Sequence, residues 1–328
     1  MWYEYSVDSE PKLGIVIAAY NAEKFLVKTL ESIRSITHKN FVCVIVNDGS
    51  TDSTGEIAES YTNIDSRFRN VSIENVGPCI ARNKGFDYLD ADTKYMVFAD
   101  ADDVIFPETY SGFLNILEHR EEFVAVHGLG TFIDEFDQVD QTGAFERIGL
   151  ARKKLNNGRI VDLDADEPTS FENLVLSSTV FPPGLVVHRK SILEKSGLFD
   201  PESRYAEDWD LLLRVSRFGS MKFVPSPVLY YRRHQYNVGT SPKVPGACKN
   251  VWTKTYFSVE NSPCQQDLLR KAFIAMNKSE AMQYLRCLAT NGNDDTKTRC
   301  VKGIIGSTLR LMRGEPTRDY KLPIDDRF

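Results

Sequence analysis

The residues with the clearest chemical potential form an acidic cluster, Asp100-Ala101-Asp102-Asp103, which directly follows an apolar run at 95–99. Three carboxylates in four residues repel one another unless a cation or hydrogen-bond donors offset their charge. Carboxylate oxygens suit Mg²⁺ or Mn²⁺, and Mg²⁺ is commonly held by one or two carboxylates together with the phosphates of a substrate. The cluster therefore indicates a metal site for a diphosphate, and an acidic turn before the next helix is the alternative.

Two further polar groups lie earlier in the chain. Asp48 follows an apolar run, where it can accept a hydrogen bond from a nucleotide base or a ribose hydroxyl, or form a turn. Arg82 lies in a segment with helical character, where it can bind a phosphate or form a surface ion pair. Each residue alone fits a structural role, so the functional interpretation depends on whether they meet.

Two groups in the second half of the chain can complete a reaction centre. The pair Glu207-Asp208 begins a helical segment, and Asp208 can act as a general base toward an acceptor hydroxyl or simply cap that helix. His234, within Arg-Arg-His-Gln, can bind a metal or a phosphate, or be a plain surface histidine.

The elements that position these groups follow from the hydrophobic pattern. Short apolar runs at 13–19, 41–46, 71–73 and 95–99 alternate with amphipathic segments, the first of which spans 22–36 with Asn21 as its N-cap. Continuous apolar runs are typical of strands buried on both faces, so the pattern predicts an open, mostly parallel α/β sheet with helices on both faces. Ligands bind beyond the carboxyl ends of such strands, which is where the polar groups fall.

The rest of the chain is less regular. Residues 134–168 are polar and predict a long irregular insertion, and the chain turns helical from about 245, ending with a helix at 301–313. We therefore expect a catalytic domain over 1–240 and a helical C-terminal extension over 241–328. Within the first, we expect a nucleotide half at about 11–105 and an acceptor half at about 106–240.

Composition narrows the class of protein. The 328 residues carry a net charge of −6, with −12 in residues 1–240 and +6 in 241–328, so the acidic body argues against nonspecific nucleic-acid binding. The basic C-terminal region favours either a peripheral contact with an anionic membrane or a solvated surface. No apolar run reaches the ~20 residues of a membrane span. The first residues resemble no secretory signal, and six scattered cysteines suit the cytoplasm.

Five segments together resemble the family 2 glycosyltransferases of the GT-A fold, and they occur in that family's order. They read Ile-Val-Ile-Ala-Ala-Tyr-Asn (15–21), Val-Asn-Asp-Gly-Ser-Thr-Asp-Ser-Thr (46–54), Asn-Val-Gly-Pro-Cys-Ile-Ala-Arg-Asn-Lys-Gly (75–85), Phe-Ala-Asp-Ala-Asp-Asp (98–103) and Ala-Glu-Asp-Trp-Asp-Leu (206–211). The resemblance covers about residues 13–235 and includes the Asp-x-Asp motif. It leaves the C-terminal region without an assigned role.

The resemblance implies inverting transfer of a hexose or hexosamine from a nucleoside diphosphate, by default uridine diphosphate, to an acceptor hydroxyl with Mn²⁺ or Mg²⁺. It implies Asp208 as the base. It implies Asp102, and with less support His234, at the metal. It implies nucleotide contacts from Ala19, Tyr20, Asp48, Arg82 and Asp100.

The same resemblance leaves several points open. Processive polysaccharide synthases of the family carry Gln-x-x-Arg-Trp and membrane helices, whereas this chain reads Arg-Arg-His-Gln at 232–235, so a non-processive enzyme is favoured. A glycan or lipid-linked acceptor in bacterial polysaccharide or glycoconjugate synthesis is the expectation. The alternatives are a catalytically silent nucleotide-sugar-binding or scaffold protein, and a nucleotidyltransferase, which would need a glycine-rich basic N-terminal loop that is not present.

Overall fold

The computed structural model describes residues 10–237, 239, 241–289 and 294–317. The N-terminal segment, which resembles no secretory signal, lies outside the described residues. The last eleven residues of the predicted 241–328 region lie outside them as well. The described residues contain ten strands, which are β1 (Leu13–Ala19), β2 (Phe41–Asp48), β3 (Phe68–Ile73), β4 (Tyr95–Asp100), β5 (Val104–Ile105), β6 (Phe123–Ile133), β7 (Lys153–Asn156), β8 (Arg159–Asp162), β9 (Val186–Arg189) and β10 (Ser220–Arg232). The same residues contain eleven α-helices, which are α1 (Leu26–Arg34), α2 (Thr54–Ile64), α3 (Pro78–Asp87), α4 (Thr109–His119), α5 (Ala144–Leu150), α6 (Phe171–Leu176), α7 (Lys190–Ser196), α8 (Glu207–Val215), α9 (Val244–Tyr256), α10 (Pro263–Ala289) and α11 (Asp294–Arg313).

Eight strands form one twisted sheet in the order β3-β2-β1-β4-β9-β6-β10-β5. The first four of these run parallel, as the apolar runs predict, and β10 is parallel to β6. Only β9 and β5 run antiparallel to their neighbours. The predicted α/β class with an open, mostly parallel sheet is therefore confirmed.

Alternate residues of the central strands bury into two separate layers. Ile15, Cys43 and Ile45 join the large core that includes α1, whereas Val44 and Val46 pack on the opposite face beneath α3. Helix α3 lies unusually close to the sheet at Gly85, where an added Cβ would come within 2.3 Å of Val16. Helices cover both faces of the sheet, so the strand ends are left as the open edge where a ligand can bind.

The first helix is shorter than the sequence predicts. Helix α1 begins at Leu26, and Asn21 is not its N-cap. Asn21 has a left-handed backbone (φ 48°), and its side-chain oxygen accepts a hydrogen bond from the Thr51 N–H at 2.9 Å. Asn21 tolerates this conformation better than most residues. It ties the loop after β1 to the loop after β2, instead of capping a helix.

The expectation of an irregular insertion at 134–168 is wrong. This region contains the short helix α5 and a two-stranded hairpin, β7–β8, whose turn at Asn157-Gly158 has positive φ at both residues. Asn-Gly is the strongest short-range hairpin signal, so the turn was readable in the sequence despite the polar strands. The buried Arg152 holds the region together by donating to the carbonyls of Asp164 and Glu167.

The C-terminal helices α9–α11 confirm the predicted helical extension over the residues that the structure describes. Trp252 and Tyr256 of α9 and Phe273 of α10 are buried in the same core as the sheet. Whether residue 240 divides two domains stays a prediction. No helix among the described residues is long and apolar enough to cross a membrane.

Candidate active site

The carboxyl ends of the parallel strands bring most of the predicted site residues to one edge of the sheet. Ala19 ends β1, Asp48 ends β2 and Asp100 ends β4. Ala19 is fully buried, whereas the side chain of Tyr20 is 53% exposed above it. Ala19 therefore packs inside the fold, and the ring of Tyr20 is the surface that the first strand end offers to a ligand.

Asp48 organises the neighbouring loop. One oxygen of its buried carboxylate accepts from the Val76 N–H at 2.8 Å and the other accepts from the Gly77 N–H at 2.9 Å. Gly77 has φ 87°, a conformation that favours glycine, and this turn leads directly into α3. Each carboxylate oxygen has a second lone pair, so Asp48 can hold this loop and still accept from a ligand.

Arg82 on α3 links two parts of the candidate site. Its guanidinium donates to Asp100 at 2.7 Å and to Glu207, at the start of α8, at 3.2 Å. Arg82 is buried, and burial opposes its charge, but the two carboxylates outweigh that effect and raise its pKa above the usual value. Burial also raises the pKa of Asp100, while Arg82 acts in the opposite direction. A buried cation therefore lies between the strand end and helix α8.

The acidic cluster after β4 is compact. Oxygens of Asp100, Asp102 and Asp103 all lie within 4.8 Å of one another. Asp103 is buried, with one oxygen accepting from the Arg232 N–H at 3.1 Å and the other without a hydrogen-bond partner. Burial, followed by the charges of Asp102 and Asp100, raises the pKa of Asp103 well above its ordinary value. This arrangement is costly without a compensating cation.

His234 lies directly against the acidic cluster. Its Nε2 is 2.7 Å from Oδ2 of Asp102, and its ring stacks on Phe25 with a centroid distance of 5.0 Å. The Tyr236 N–H donates to Nδ1 at 3.2 Å, which places the imidazole proton on Nε2, pointing at Asp102. In this arrangement His234 orients Asp102, and it can ligate a metal itself only if that proton is lost.

The cluster fits a divalent cation. Its donors are hard carboxylate oxygens, they converge, and one buried oxygen of Asp103 lacks a partner, all of which suit Mg²⁺ or Mn²⁺ better than a softer metal. Asp102 and Asp100 would hold such an ion, with Asp103 and His234 beside them. Its charge would stabilise negative charge that develops on a diphosphate.

Asp208 lies in the first turn of α8 and is half-buried. One of its oxygens accepts from the Trp209 N–H at 2.7 Å. Burial, and next the adjacent charge of Glu207, raise the pKa of Asp208 to about 7. The charges of Arg82 and Asp100 also act on Asp208, so Asp208 lies near their part of the site. No cation is paired with it among the described residues, which suits a carboxylate that must take up a proton near neutral pH.

The first half of this chain matches the model of one known protein family. The model described as glycosyl transferase family 2 matches residues 14–168, which include β1–β4 and the acidic cluster. Residues 14–168 therefore carry the sequence pattern of glycosyl transferase family 2. The family predicted from the sequence motifs is therefore confirmed. The matched residues include Asp48, Arg82 and the acidic cluster, whereas Asp208 and His234 lie beyond them.

Two relatives whose names describe glycosyltransferases match a longer part of the chain than residues 14–168. EpsH of Bacillus subtilis, whose name describes a glycosyltransferase, is 30% identical over 236 residues, which are 68% of this chain and 61% of EpsH. An uncharacterized glycosyltransferase of Haemophilus influenzae is 25% identical over 230 residues, 68% of this chain and 66% of that protein. The chain thus spans just under two thirds of the length of these two relatives.

Solved structures confirm that this chain has the GT-A type of fold. The crystal structure of TarS from S. aureus matches with a TM-score of 0.56 and 16% identity, covering 94% of this chain and 50% of TarS. A TarS fragment, residues 1–349, in complex with UDP-GlcNAc matches with a TM-score of 0.57 and 15% identity, covering 92% of this chain and 81% of the fragment. At this level of identity the likeness concerns the fold alone.

Two side chains near this site were not predicted from the sequence. Glu207, read only as the neighbour of Asp208, is the second partner of Arg82. Tyr231, in β10, was not predicted either. Its burial, and next the charges of Asp103, Asp100, Asp102 and Asp208, raise its pKa. Its phenol therefore keeps its proton and can serve as a hydrogen-bond donor in an otherwise acidic site.

Proposed function

We propose that this protein is a metal-assisted, inverting glycosyltransferase that moves a hexose or hexosamine from a nucleoside diphosphate to an acceptor hydroxyl. One observation carries the proposal: the convergent carboxylates of Asp100, Asp102 and Asp103 lie near Asp208, because the buried Arg82 bonds both to Asp100 and to Glu207, the neighbour of Asp208. The first group suits a diphosphate with its metal ion, and the second suits an acceptor hydroxyl.

The donor is proposed to be a uridine diphosphate sugar. The TarS fragment of the same fold was crystallised with UDP-GlcNAc and also with UDP, which supports a uridine nucleotide as the ligand. In our proposal the exposed ring of Tyr20, supported by the buried Ala19, takes the base, with Asp48 holding the adjoining loop. Asp100 and Arg82 take the ribose and the diphosphate, and Asp102, oriented by His234, takes the metal ion.

The transfer step requires a base on the acceptor side. In the proposed step, the acceptor oxygen bonds to the anomeric carbon as the bond from that carbon to the diphosphate oxygen breaks. The proton of the acceptor hydroxyl passes to Asp208, and the nucleoside diphosphate leaves with the bonding electron pair. A single displacement of this kind inverts the anomeric configuration, and NMR of the product against the donor tests it directly. Retention of configuration would contradict the proposal.

The acceptor is proposed to be a glycan or a lipid-linked saccharide, to which a non-processive enzyme adds one sugar per encounter. We place this reaction in the cytoplasm, in bacterial polysaccharide or glycoconjugate synthesis. The main alternative is a catalytically silent protein that binds nucleotide sugars on the same fold. A thermal-shift screen of nucleotide sugars with Mn²⁺ identifies the donor in both cases, because a ligand that binds only the folded state raises its stability. Release of the nucleoside diphosphate then separates enzyme from scaffold.

Replacing Asp48 tests whether the loop that it holds is part of the nucleotide site. Asp48→Ala leaves the N–H groups of Val76 and Gly77 without their charged acceptor, so we expect a loss of about 1–3 kcal/mol in the free energy of unfolding. We also expect weaker binding of uridine diphosphate, because the loop leads into α3, which carries Arg82. Urea denaturation and titration calorimetry measure the two effects. Unchanged nucleotide affinity in the variant would remove Asp48 from the binding site.

We also propose that α11 rests on the surface of an anionic membrane. Its exposed apolar stripe consists of Val301, Ile305, Leu309 and Met312, which follow one another at helical spacing. The basic residues Lys297, Lys302 and Arg313 on the same helix are exposed as well. Not every residue of α11 lies on this surface, since Ile304 is half-buried and Arg310 is paired with Glu280 of α10. An apolar stripe with basic flanks matches an in-plane membrane helix.

If α11 lies on a membrane, replacing its exposed apolar side chains with polar ones should weaken the binding of the protein to vesicles. We expect wild-type protein to co-sediment with vesicles that contain phosphatidylglycerol, and Ile305→Ser with Leu309→Ser to reduce the bound fraction several-fold. The matched control is Ile64→Ser, which removes an apolar side chain that is 59% exposed on α2. Wild-type protein that stays in the supernatant at low ionic strength would contradict the membrane contact.

A further inference from the structure

Helices α10 and α11 pack against each other in an antiparallel register that several contacts define. Arg310 bonds to Asn277, and the Ser307 hydroxyl donates to Glu280 at 2.6 Å. One turn further, Gly303 lies against Tyr284, where an added Cβ would come within 2.4 Å of the ring. Each step of three or four residues along α10 is therefore matched by the same step back along α11.

The next pair in this register consists of two cysteines. Cys287, in the last turns of α10, lies opposite Cys300 of α11, and the two thiols are hydrogen-bonded to each other. Cys300 is 2% exposed, whereas Cys287 is only half-buried. The contact places two thiols side by side where the helices approach closely, and Cys287 is the one that solvent can reach.

We propose that Cys287 and Cys300 form a redox-sensitive dithiol site that a low-molecular-weight disulfide, such as oxidised glutathione, converts to a disulfide between α10 and α11. In the first step the Cys287 thiolate attacks oxidised glutathione, giving a mixed disulfide and one glutathione thiolate. In the second step the Cys300 thiolate displaces the second glutathione from Cys287. The two protein thiols lose two electrons and two protons, and oxidised glutathione is reduced to two thiols.

The pairing is specific because of the helical geometry. Cys264 lies on the same helix as Cys287 but 23 residues earlier, which is about 34 Å along the axis, so it cannot reach Cys300. Cys43 is fully buried in the central sheet and Cys79 is buried on α3. The disulfide would join α10 to α11 across the connection between them and restrict the unfolded chain, which stabilises the folded protein.

The test uses the full chain, equilibrated first with reduced and then with oxidised glutathione. We expect oxidation to leave two fewer thiols open to alkylation, and digestion to yield a peptide in which Cys287 is linked to Cys300. We expect the unfolding temperature to rise by a few degrees and to return on reduction with dithiothreitol. Because the linkage is read by mass spectrometry on wild-type protein, this result does not depend on whether a variant folds.

Variants separate the proposed pair from incidental oxidation. Cys287→Ser and Cys300→Ser should each abolish the linked peptide and the temperature shift, whereas Cys264→Ser, which removes an exposed cysteine of the same helix, should retain both. A stable mixed disulfide with glutathione on Cys287 and no link to Cys300 would overturn the proposal. So would a linked peptide that joins either residue to Cys264. Neither outcome bears on the proposed transferase activity, which uses residues elsewhere.

Discussion

Asp208→Asn is expected to lower the rate of glycosyl transfer by about 10²–10⁴-fold while leaving donor affinity nearly unchanged. An acceptor hydroxyl is a poor nucleophile at neutral pH, and asparagine cannot take its proton. The substitution nearly preserves the shape of the side chain, and asparagine is well tolerated at a helix N-terminus, so α8 should form as before. Steady-state kinetics with the donor and titration calorimetry with the nucleoside diphosphate measure the two quantities separately.

The same residue predicts a pH dependence. Burial and the charge of Glu207 raise the pKa of Asp208 from its ordinary value of 3.8 to about 7, so the fraction that can accept a proton falls as the pH falls below 7. We therefore expect kcat/KM to decrease about tenfold per pH unit below that value in the wild-type protein. A profile that stays flat between pH 5 and 8 would argue against Asp208 as the base.

As the pH rises toward 7, the contribution of Asp208 to the free energy of unfolding should fall, whereas kcat/KM should increase. The folded protein holds the Asp208 proton more tightly than the unfolded chain does, so ionisation of Asp208 costs stability as the pH rises from about 4 through 7. Asp208→Asn removes that cost, so we expect the variant to be more stable than the wild type at pH 8 and the difference to shrink toward pH 4. Urea denaturation at several pH values measures this.

Glu202→Gln is the matched control for the Asp208 variant, because Glu202 is an exposed acidic residue in the loop that precedes α8. It removes one negative charge nearby without touching the site, and it should leave turnover and the pH profile unchanged. If Asp208→Asn keeps near-normal turnover, the base is elsewhere. If it loses donor binding as well, Asp208 serves the nucleotide rather than the acceptor.

The second large effect concerns the acidic cluster. Asp102→Asn is expected to abolish detectable transfer and to weaken the metal-dependent part of nucleotide binding by at least tenfold, because it removes a carboxylate charge that a divalent cation would neutralise. The fold should survive, since relief of the repulsion with Asp103 offsets the weaker contact with His234. Titration with uridine diphosphate in the presence of Mn²⁺ and of EDTA measures the metal-dependent difference.

Asp92→Asn is the control for this variant, because Asp92 is an exposed carboxylate near the start of β4, at the other end of that strand from the cluster. It should retain both turnover and the response to Mn²⁺. Wild-type protein that turns over at the full rate in EDTA would show that the cluster does not hold a required metal ion. A variant that loses its fold, as judged by circular dichroism, would instead assign Asp102 a structural role.

The sequence predicts the central strands well because each is an uninterrupted apolar run, and the parallel register then brings Asp48 and Asp100 to one edge. It cannot show that Arg82 pairs with Glu207, since 125 residues separate them and only the packing of α8 brings them together. The sequence did not predict the hairpin at β7–β8 because its strands are only four residues long and mostly polar. There the Asn-Gly turn, rather than hydrophobic alternation, was the usable signal.

The role of His234 is also only partly predictable from the sequence. Its residue type and its position after β10 suggest that it binds a metal or a phosphate, but the sequence cannot show which ring nitrogen faces the cluster. The structure shows Nε2 against Asp102 and Nδ1 accepting from Tyr236. The orientation of an imidazole depends on contacts made by neighbouring backbone groups, which no spacing pattern encodes.

Release of a nucleoside diphosphate from a panel of nucleotide sugars tests the central claim most directly. Wild-type protein, Asp208→Asn and Asp102→Asn are incubated with each donor, Mn²⁺ and a mixture of saccharide acceptors, and the released diphosphate is quantified by chromatography. The proposed function predicts release by the wild-type protein from at least one uridine diphosphate sugar, at a rate at least about 100-fold above both variants. Donor binding by the wild-type protein with no release above the variants, for every donor and acceptor, would contradict it and favour a silent binding protein.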